Sequence, residues 1–226
     1  MRSKNRQLLP ASNNSYVQVP GRQGSVLFPG GLADRRIEID CAFRGNKLPD
    51  LRIRAREIAA WLYTENREIL SFDDESEKYY RGKLAQAIDF EHLAVMGQFS
   101  LIFVCEPLAY GAEVLASFIN DTATVNNQGT FESYPVFTVT FTGMAAEWKV
   151  TGPGDNYIRV VHAFQAGDTM EVNCKTGAIL INGTRAMDKL DWQNSRFFAL
   201  REGENSLAIA PTGKCSTTVS WVPRYL

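Results

Sequence analysis

Asn126-Asn127-Gln128-Gly129-Thr130-Phe131-Glu132-Ser133-Tyr134-Pro135-Val136-Phe137-Thr138-Val139-Thr140-Phe141 is the stretch from which the rest of the chain is read. It opens on four turn-forming residues, Asn126 to Gly129, because glycine and asparagine tolerate positive φ and asparagine side chains bond nearby backbone. A strand is predicted to follow. Val136, Val139 and Phe141 alternate with Thr138, Thr140 and Thr142, and Phe137 stands out of phase. Pro135 has no N–H for a ladder, so it belongs at the first residue of a strand or on a sheet edge. The stretch reads as the opening strand of a second, all-β domain.

Downstream of it short strands recur, at Ala146 to Val150, Tyr157 to Val161, Thr169 to Cys174, Ala178 to Ile181, Phe197 to Leu200, Ser206 to Ala210 and Thr217 to Val222. Between them lie Gly152-Pro153-Gly154, Ala166-Gly167-Asp168, Lys175-Thr176-Gly177, Asn182-Gly183 and Glu202-Gly203-Glu204-Asn205, all turn chemistry. This rhythm, with no strong helical pattern, predicts an antiparallel sandwich in which Asp168 to Asn182 is a hairpin.

Upstream the pattern is mixed. Tyr16, Val17 and Val19 form a short strand, Pro20 to Gly24 a turn, and Ser25 to Phe28 a return strand ending at Pro29-Gly30-Gly31. In Arg35 to Arg44, Ile37, Ile39 and Cys41 share one face and Glu38, Asp40 and Ala42 the other. Asp50 is placed to cap a helix running to about Tyr63, with Leu51, Ala55, Ile58, Ala59 and Leu62 at helical spacing on the face that docks on a sheet. After Glu68 to Phe72, the tract Asp73-Asp74-Glu75-Ser76-Glu77 reads as a solvent-facing turn, since it lacks the glycine and distal glutamate of a calcium loop. Lys83 to Phe90 and Gly97 to Glu106 read as strands, and 112–125 is open between a short strand and a linker. The division is therefore expected at 1–111 and 112–226.

Composition excludes several classes. The apolar share of 45% beside 22% charged residues is that of a globular protein rather than a disordered one. No run reaches the roughly 20 apolar residues of a membrane helix. The net charge of −1 gives no general attraction to nucleic acid or an anionic membrane. Arg2, Lys4 and Arg6 make the N-terminus basic, but Leu8-Leu9-Pro10 is too short for a signal-peptide core, and a disordered arm is expected. Cys41, Cys105, Cys174 and Cys215 contain no close pair, so zinc spacing and Cys-x-x-Cys redox chemistry are absent, and reduced, mostly buried thiols are expected.

No catalytic set emerges. The two histidines, His92 and His162, have no recognisable nucleophile beside them, and His162 reads as an edge or surface residue. Gly21-Arg22-Gln23-Gly24 lacks the lysine and the helix of a phosphate loop. Trp148, Trp192 and Trp221 would suit either a sandwich core or stacking on a sugar, with core favoured. No cofactor or metal is implied, and the chain is not expected to be an enzyme.

The series of motifs resembles the distal tail protein (Dit) family of siphophage and prophage tails. In the first half the resemblance rests on Val19-Pro20-Gly21-Arg22-Gln23-Gly24, Ile58-Ala59-Ala60-Trp61-Leu62, and Leu70-Ser71-Phe72-Asp73-Asp74 followed by Tyr79-Tyr80. In the second it rests on Asn127 to Pro135, the Gly167-Asp168 to Asn182-Gly183 hairpin, and Phe197-Phe198-Ala199-Leu200 before Gly203-Glu204-Asn205. It implies a mainly β chain: an N-terminal β-sandwich with one α-helix that closes into a hexameric ring, and a C-terminal galectin-like antiparallel β-sandwich. Such a protein is a structural baseplate adaptor at the virion tail tip, assembled in the host cytoplasm. Its implied partners are the tail tube protein, the tail-tip or tail-associated lysin hub protein, the tape-measure protein and a receptor-binding protein. The strand segment with a Phe-Asn-Gly type motif that begins family members is not found before Tyr16, and the β-domain is too short to hold an inserted carbohydrate-binding module.

A ring closed by one repeated contact needs two different complementary patches on each subunit. Arg52, Arg54 and Arg56 against Asp73, Asp74, Glu75 and Glu77 are the candidate pair. The competing reading is a lectin-like module for cell-wall sugars that stacks them on Trp148 or Trp192.

Overall fold

The computed structural model describes residues 2–42, 48–85 and 98–226. The chain divides into two compact units, Met1–Ala109 together with Leu226, and Tyr110–Tyr225. It is mainly β, and α1 is the α-helix among the described residues.

The first unit contains β1 (Arg2–Arg6), β2 (Ser15–Gln18), β3 (Ser25–Phe28), β4 (Arg35–Ala42), α1 (Leu48–Leu62), β5 (Glu68–Ser71), β6 (Tyr79–Leu84) and β7 (Gln98–Cys105). Its sheet runs β1-β4-β7-β6, with β5 also on β6. The longest ladder joins β4 to β7 in unbroken antiparallel register from Arg35↔Cys105 to Ala42↔Gln98. The period-two pattern of β4 sets its inner face, so Ile37, Ile39 and Cys41 are buried as expected. The basic N-terminus is not a free arm: Arg2–Arg6 forms an edge strand on β4, with a register shift between Ser3 and Asn5. It is legible only through its partner, since it carries no apolar residue.

The helix begins at Leu48, two residues before the expected cap, so Asp50 lies in its first turn. Leu62 is its buried anchor, whereas Ala59 is exposed and Ile58 half-buried. The acidic tract forms the expected turn, a short 3-10 segment at Asp73–Glu75. β6 runs from Tyr79, earlier than predicted, to Leu84, and residues 86–90 of the expected Lys83 to Phe90 strand, with His92, lie outside the described residues.

After β8 (Ala109–Tyr110), the second unit is built from β9 (Val114–Ser117), β10 (Thr122–Asn127), β11 (Val136–Phe141), β12 (Ala145–Thr151), β13 (Tyr157–Phe164), β14 (Thr169–Asn173), β15 (Ala178–Ile181), β16 (Thr184–Arg185), β17 (Gly203–Ala210), β18 (Cys215–Trp221) and β19 (Arg224–Tyr225). Two antiparallel sheets face each other, one ordered β10-β17-β12-β13 and the other β16-β15-β14-β11-β18-β9. The predicted 168–182 hairpin is the β14–β15 pair. β11 lies in the middle of its sheet, between β14 and β18, so it is not the opening strand; β9 and β10 precede it in the open 112–125 region and beyond.

The phase of β11 also differs from expectation. Phe137, Val139 and Phe141 all point inward and are buried, and Val136 is only half-buried on the threonine side. The inward face of a central strand is set by the opposing sheet: Phe137 meets Trp148 and Phe198 at 6.0 Å each, and Phe141 stacks on Phe164 at 3.9 Å. Burying each such ring is worth roughly 1.5–3 kcal/mol. Three further expectations are corrected. Asn126 and Asn127 end β10 instead of forming a turn, and Gly203 to Asn205 belong to β17. Phe197 to Leu200 makes no strand beyond the Ser133↔Leu200 bridge, although Phe198 enters the core.

Candidate assembly surfaces

Among the described residues of the first unit, β2 and β3 pair only with each other, from Ser15↔Phe28 to Gln18↔Ser25. Every residue of β2 is exposed, and Tyr16, Val17, Val19, Leu27 and Phe28 are 45–65% accessible. The tip closes through Arg22 N–H donating to the Val19 carbonyl at 3.1 Å, with Gly21 at φ 82° and Gly24 at φ 78° supplying the left-handed positions. The base is clasped. Asn13 N–H donates to Gly31 at 2.9 Å, Gly30 N–H donates to Asn14 Oδ1 at 3.0 Å, and a Cβ on Gly30 would run into the Asn13 carbonyl.

The helix presents a second apolar surface. Spacings of three and four place Ile53, Glu57, Ala60 and Trp61 on one side, away from buried Leu62, and Ile53 and Trp61 are 60% and 68% exposed. Tyr63 and Ile69, just beyond, are equally open.

The charges singled out in the sequence are distributed differently from expectation. Arg6 forms ion pairs with Asp74 and, at 3.5 Å, with Glu75, and its guanidinium lies 4.5 Å from the Phe72 ring. Glu75 also takes Lys78 Nζ at 2.8 Å and the Tyr80 hydroxyl at 3.4 Å. Burial first, and then Glu75, push the Tyr80 hydroxyl above its ordinary pKa. Asp74 and Glu75 are thus engaged within the subunit by a residue that sequence spacing did not connect to them. Asp73 and Glu77 remain on the surface, as does Arg56, while the side chains of Arg52 and Arg54 lie outside the described residues. No ion pair joins Arg56 to the acidic turn among the described residues.

Arg35 was not singled out, yet it is 3% exposed. Its Nε donates to the Pro107 carbonyl and its Nη1 to the Gln7 carbonyl, both at 3.0 Å, tying the two ends of the unit's sheet segment together. Nothing in its local sequence separates it from the exposed arginines.

In the second unit the three tryptophans separate. Trp148 and Trp221 are core residues at 0% and 3% exposure, so Trp148 offers no ring face to a sugar. Trp192 is 63% exposed and donates from Nε1 to the Met187 carbonyl at 3.1 Å. Close by, Arg159 pairs with Glu147 and with Asp191 at 3.3 Å, and these contacts hold the guanidinium above its ordinary pKa, Glu147 foremost. An open concavity of about 670 Å³ on the other part of this sheet is walled by Thr122, Thr124, Thr151, Asp155, Arg201 and Glu204 and has no aromatic lining residue. His162 lies on β13, the edge of its sheet as expected, and packs edge-on against Phe164 at 4.9 Å. No group of three or more His, Cys, Asp or Glu among the described residues is arranged to hold a metal ion. The four cysteines are free, three of them buried, and burial pushes the Cys174 thiol up to about 12 and the Cys105 thiol to about 11.

The chain is similar to phage tail proteins. A family model described as the siphovirus-type tail component, C-terminal domain, matches residues 128–225, and one described as the phage tail protein RIFT-related domain matches residues 1–105. The distal tail protein of Bacillus phage SPP1 is 26% identical over 184 residues, which are 77% of this chain and 73% of that protein. The crystal structure of the SPP1 Dit protein shares the fold, with a TM-score of 0.84 at 21% identity over 100% of this chain and 93% of that one. Both halves of the chain therefore match phage tail protein models, and across most of its length the chain is similar to a distal tail protein.

Proposed function

We propose that this chain is a ring-forming adaptor of a phage tail tip: six copies close through their first units, and the galectin-like second units hold other tail proteins. The observation that carries the reading is the β2–β3 hairpin. A two-stranded hairpin is marginal alone in water, and large apolar side chains on both its strands are a liability unless another surface covers them. The helix face gives the same unit a second, different apolar patch, as a repeated heterologous contact requires. The SPP1 relative is described as a hub of the adsorption apparatus, which agrees with this role. The partners are the tail tube, tape-measure, tail-tip and receptor-binding proteins; the ring is built in the host cytoplasm and resides in the virion, and the chain performs no catalysis. Light scattering followed by negative-stain imaging tests it. A six-fold ring with a central opening is expected, and a strict monomer both alone and with the tail tube protein present would overturn it.

A further inference from the structure

β18 ends at Trp221, a core residue, and the chain then turns through Pro223 into β19, which is two residues long. We infer that Pro223–Tyr225 is a latch: this strap lifts as one piece off the loop at 129–134 and off Gly111 while the sandwich behind it stays folded.

The seat is specific. Phe131 N–H donates to the Arg224 carbonyl at 3.0 Å, Arg224 Nε donates to the Glu132 carbonyl at 2.6 Å, and Gly111 N–H donates to the Pro223 carbonyl at 2.9 Å. A Cβ on Gly129 would run into the Arg224 backbone, and one on Gly111 would come within 3.3 Å of the Tyr225 ring, so the strap lies flat against both glycines. The Arg224 guanidinium stands 4.8 Å from the Tyr134 ring and 5.3 Å from that of Phe131, within reach of a cation–π attraction to each. Backbone contacts at successive residues couple the strap along its length, so it leaves as a unit.

The seat is also incomplete. Arg224 Nη2 is buried without a hydrogen-bond partner. That orphan donor weakens the seated state, and water would satisfy it once the strap lifts. β19 lies beside β8, itself only two residues long, and so few ladder bonds hold it. β11, by contrast, is paired on both sides, to β14 and to β18. Lifting the strap therefore requires far less than opening the sandwich, which is the condition for local opening below global unfolding.

The opening has a limit on each side. Ser133 is fully buried and exchanges backbone bonds with Leu200, its N–H donating at 2.9 Å and the Leu200 N–H returning at 2.7 Å, and Asn127 roots the same loop from within. Trp221, 3% exposed, fixes the other hinge in the core.

Amide hydrogen exchange of the full chain in low urea, read residue by residue by mass spectrometry, tests this. Phe131 and Gly111, whose acceptors both lie on the strap, are expected to share one protection, on the order of 100-fold below that of Ser133 and Leu200 and nearly independent of urea because little surface is exposed. Arg224→Ala should speed both amides by the same factor, about thirtyfold, although Gly111 bonds Pro223 and not the Arg224 side chain. Arg224→Lys keeps the charge and loses the planar fork, and roughly fivefold is expected. Gly129→Ala, which pushes on the strap from the other side, should speed the same pair. A response at Phe131 without one at Gly111, or rates at both that follow urea as steeply as those of Ser133 and Leu200, would overturn the latch.

Discussion

Arg35 Nε lies 3.0 Å from the carbonyl of Pro107, a residue 72 positions later in the chain. A buried guanidinium that satisfies two main-chain carbonyls is held by geometry, because its planar fork reaches both at once. Arg35→Ala removes the donor to Pro107 and Gln7 and leaves two carbonyls short of partners. A loss of about 2–4 kcal/mol in urea unfolding of the first unit is expected, and Arg35→Lys should recover less than half of it. A change under about 0.5 kcal/mol would mean that water replaces the fork.

The corresponding knot in the second unit is Asn127, which is fully buried. Its Nδ2 donates to the carbonyls of Phe131 at 3.1 Å and Leu200 at 3.3 Å, and its Oδ1 accepts from Gly129 N–H at 3.2 Å and Ser133 Oγ at 3.4 Å. Asn127→Asp keeps the shape, loses both donors and puts a carboxylate opposite two carbonyls. A cost of about 3 kcal/mol is expected, larger at pH 8 than at pH 4, where protonation restores one donor. Thermal unfolding at the two pH values checks it, and equal losses would contradict it.

Gly30→Ala tests the hairpin base. A methyl group there meets the Asn13 carbonyl, so the clasp must open. The variant is expected to become sensitive to protease within 14–30 and to lose ring formation, while unfolding of the second unit is unchanged. Intact rings from this variant would show that the hairpin angle is unimportant.

The buried thiols set a pH dependence on the alkaline side. Cys174 and Cys105 are pushed up to about 12 and about 11 by burial, whereas an unfolded thiol ionises near 8.5. A raised folded-state pKa gives stability that is complete below the unfolded value and is lost as pH rises toward the folded one. Between about pH 9 and 11 each thiol should therefore lower stability by roughly 1.4 kcal/mol per pH unit. Cys174→Ala should flatten the decline in the urea midpoint between pH 8 and 10; the same slope with and without the thiol would refute the assignment. In the native state at pH 8 the partly buried Cys215 should react first with a maleimide, with Cys174 labelled only on unfolding.

Much of the fold is legible because its signals are local. Lys175-Thr176-Gly177 between two apolar runs is a hairpin whatever surrounds it, and β14 and β15 pair across it. Three- and four-residue spacing marked α1, and period two marked the buried face of β4. Signals that depend on a partner were misread. Val136 and Phe137 are both apolar, and only the opposite sheet, through Trp148 and Phe198, decides which turns inward. Arg2–Arg6 has no apolar pattern and becomes a strand only because β4 offers an edge.

The candidate surfaces divide the same way. Legible from sequence alone were the two-part, mainly β organisation, the hairpin at 15–28, the core assignment favoured for Trp148 and the family resemblance, since turn chemistry and side-chain period act over a few residues. It took the folded contacts to show that Asp74 and Glu75 are taken by Arg6, that Arg35 and Asn127 are buried, and that Trp61 is exposed on the helix. Burial and pairing are properties of contacts between residues far apart in the chain, and no local pattern carries them.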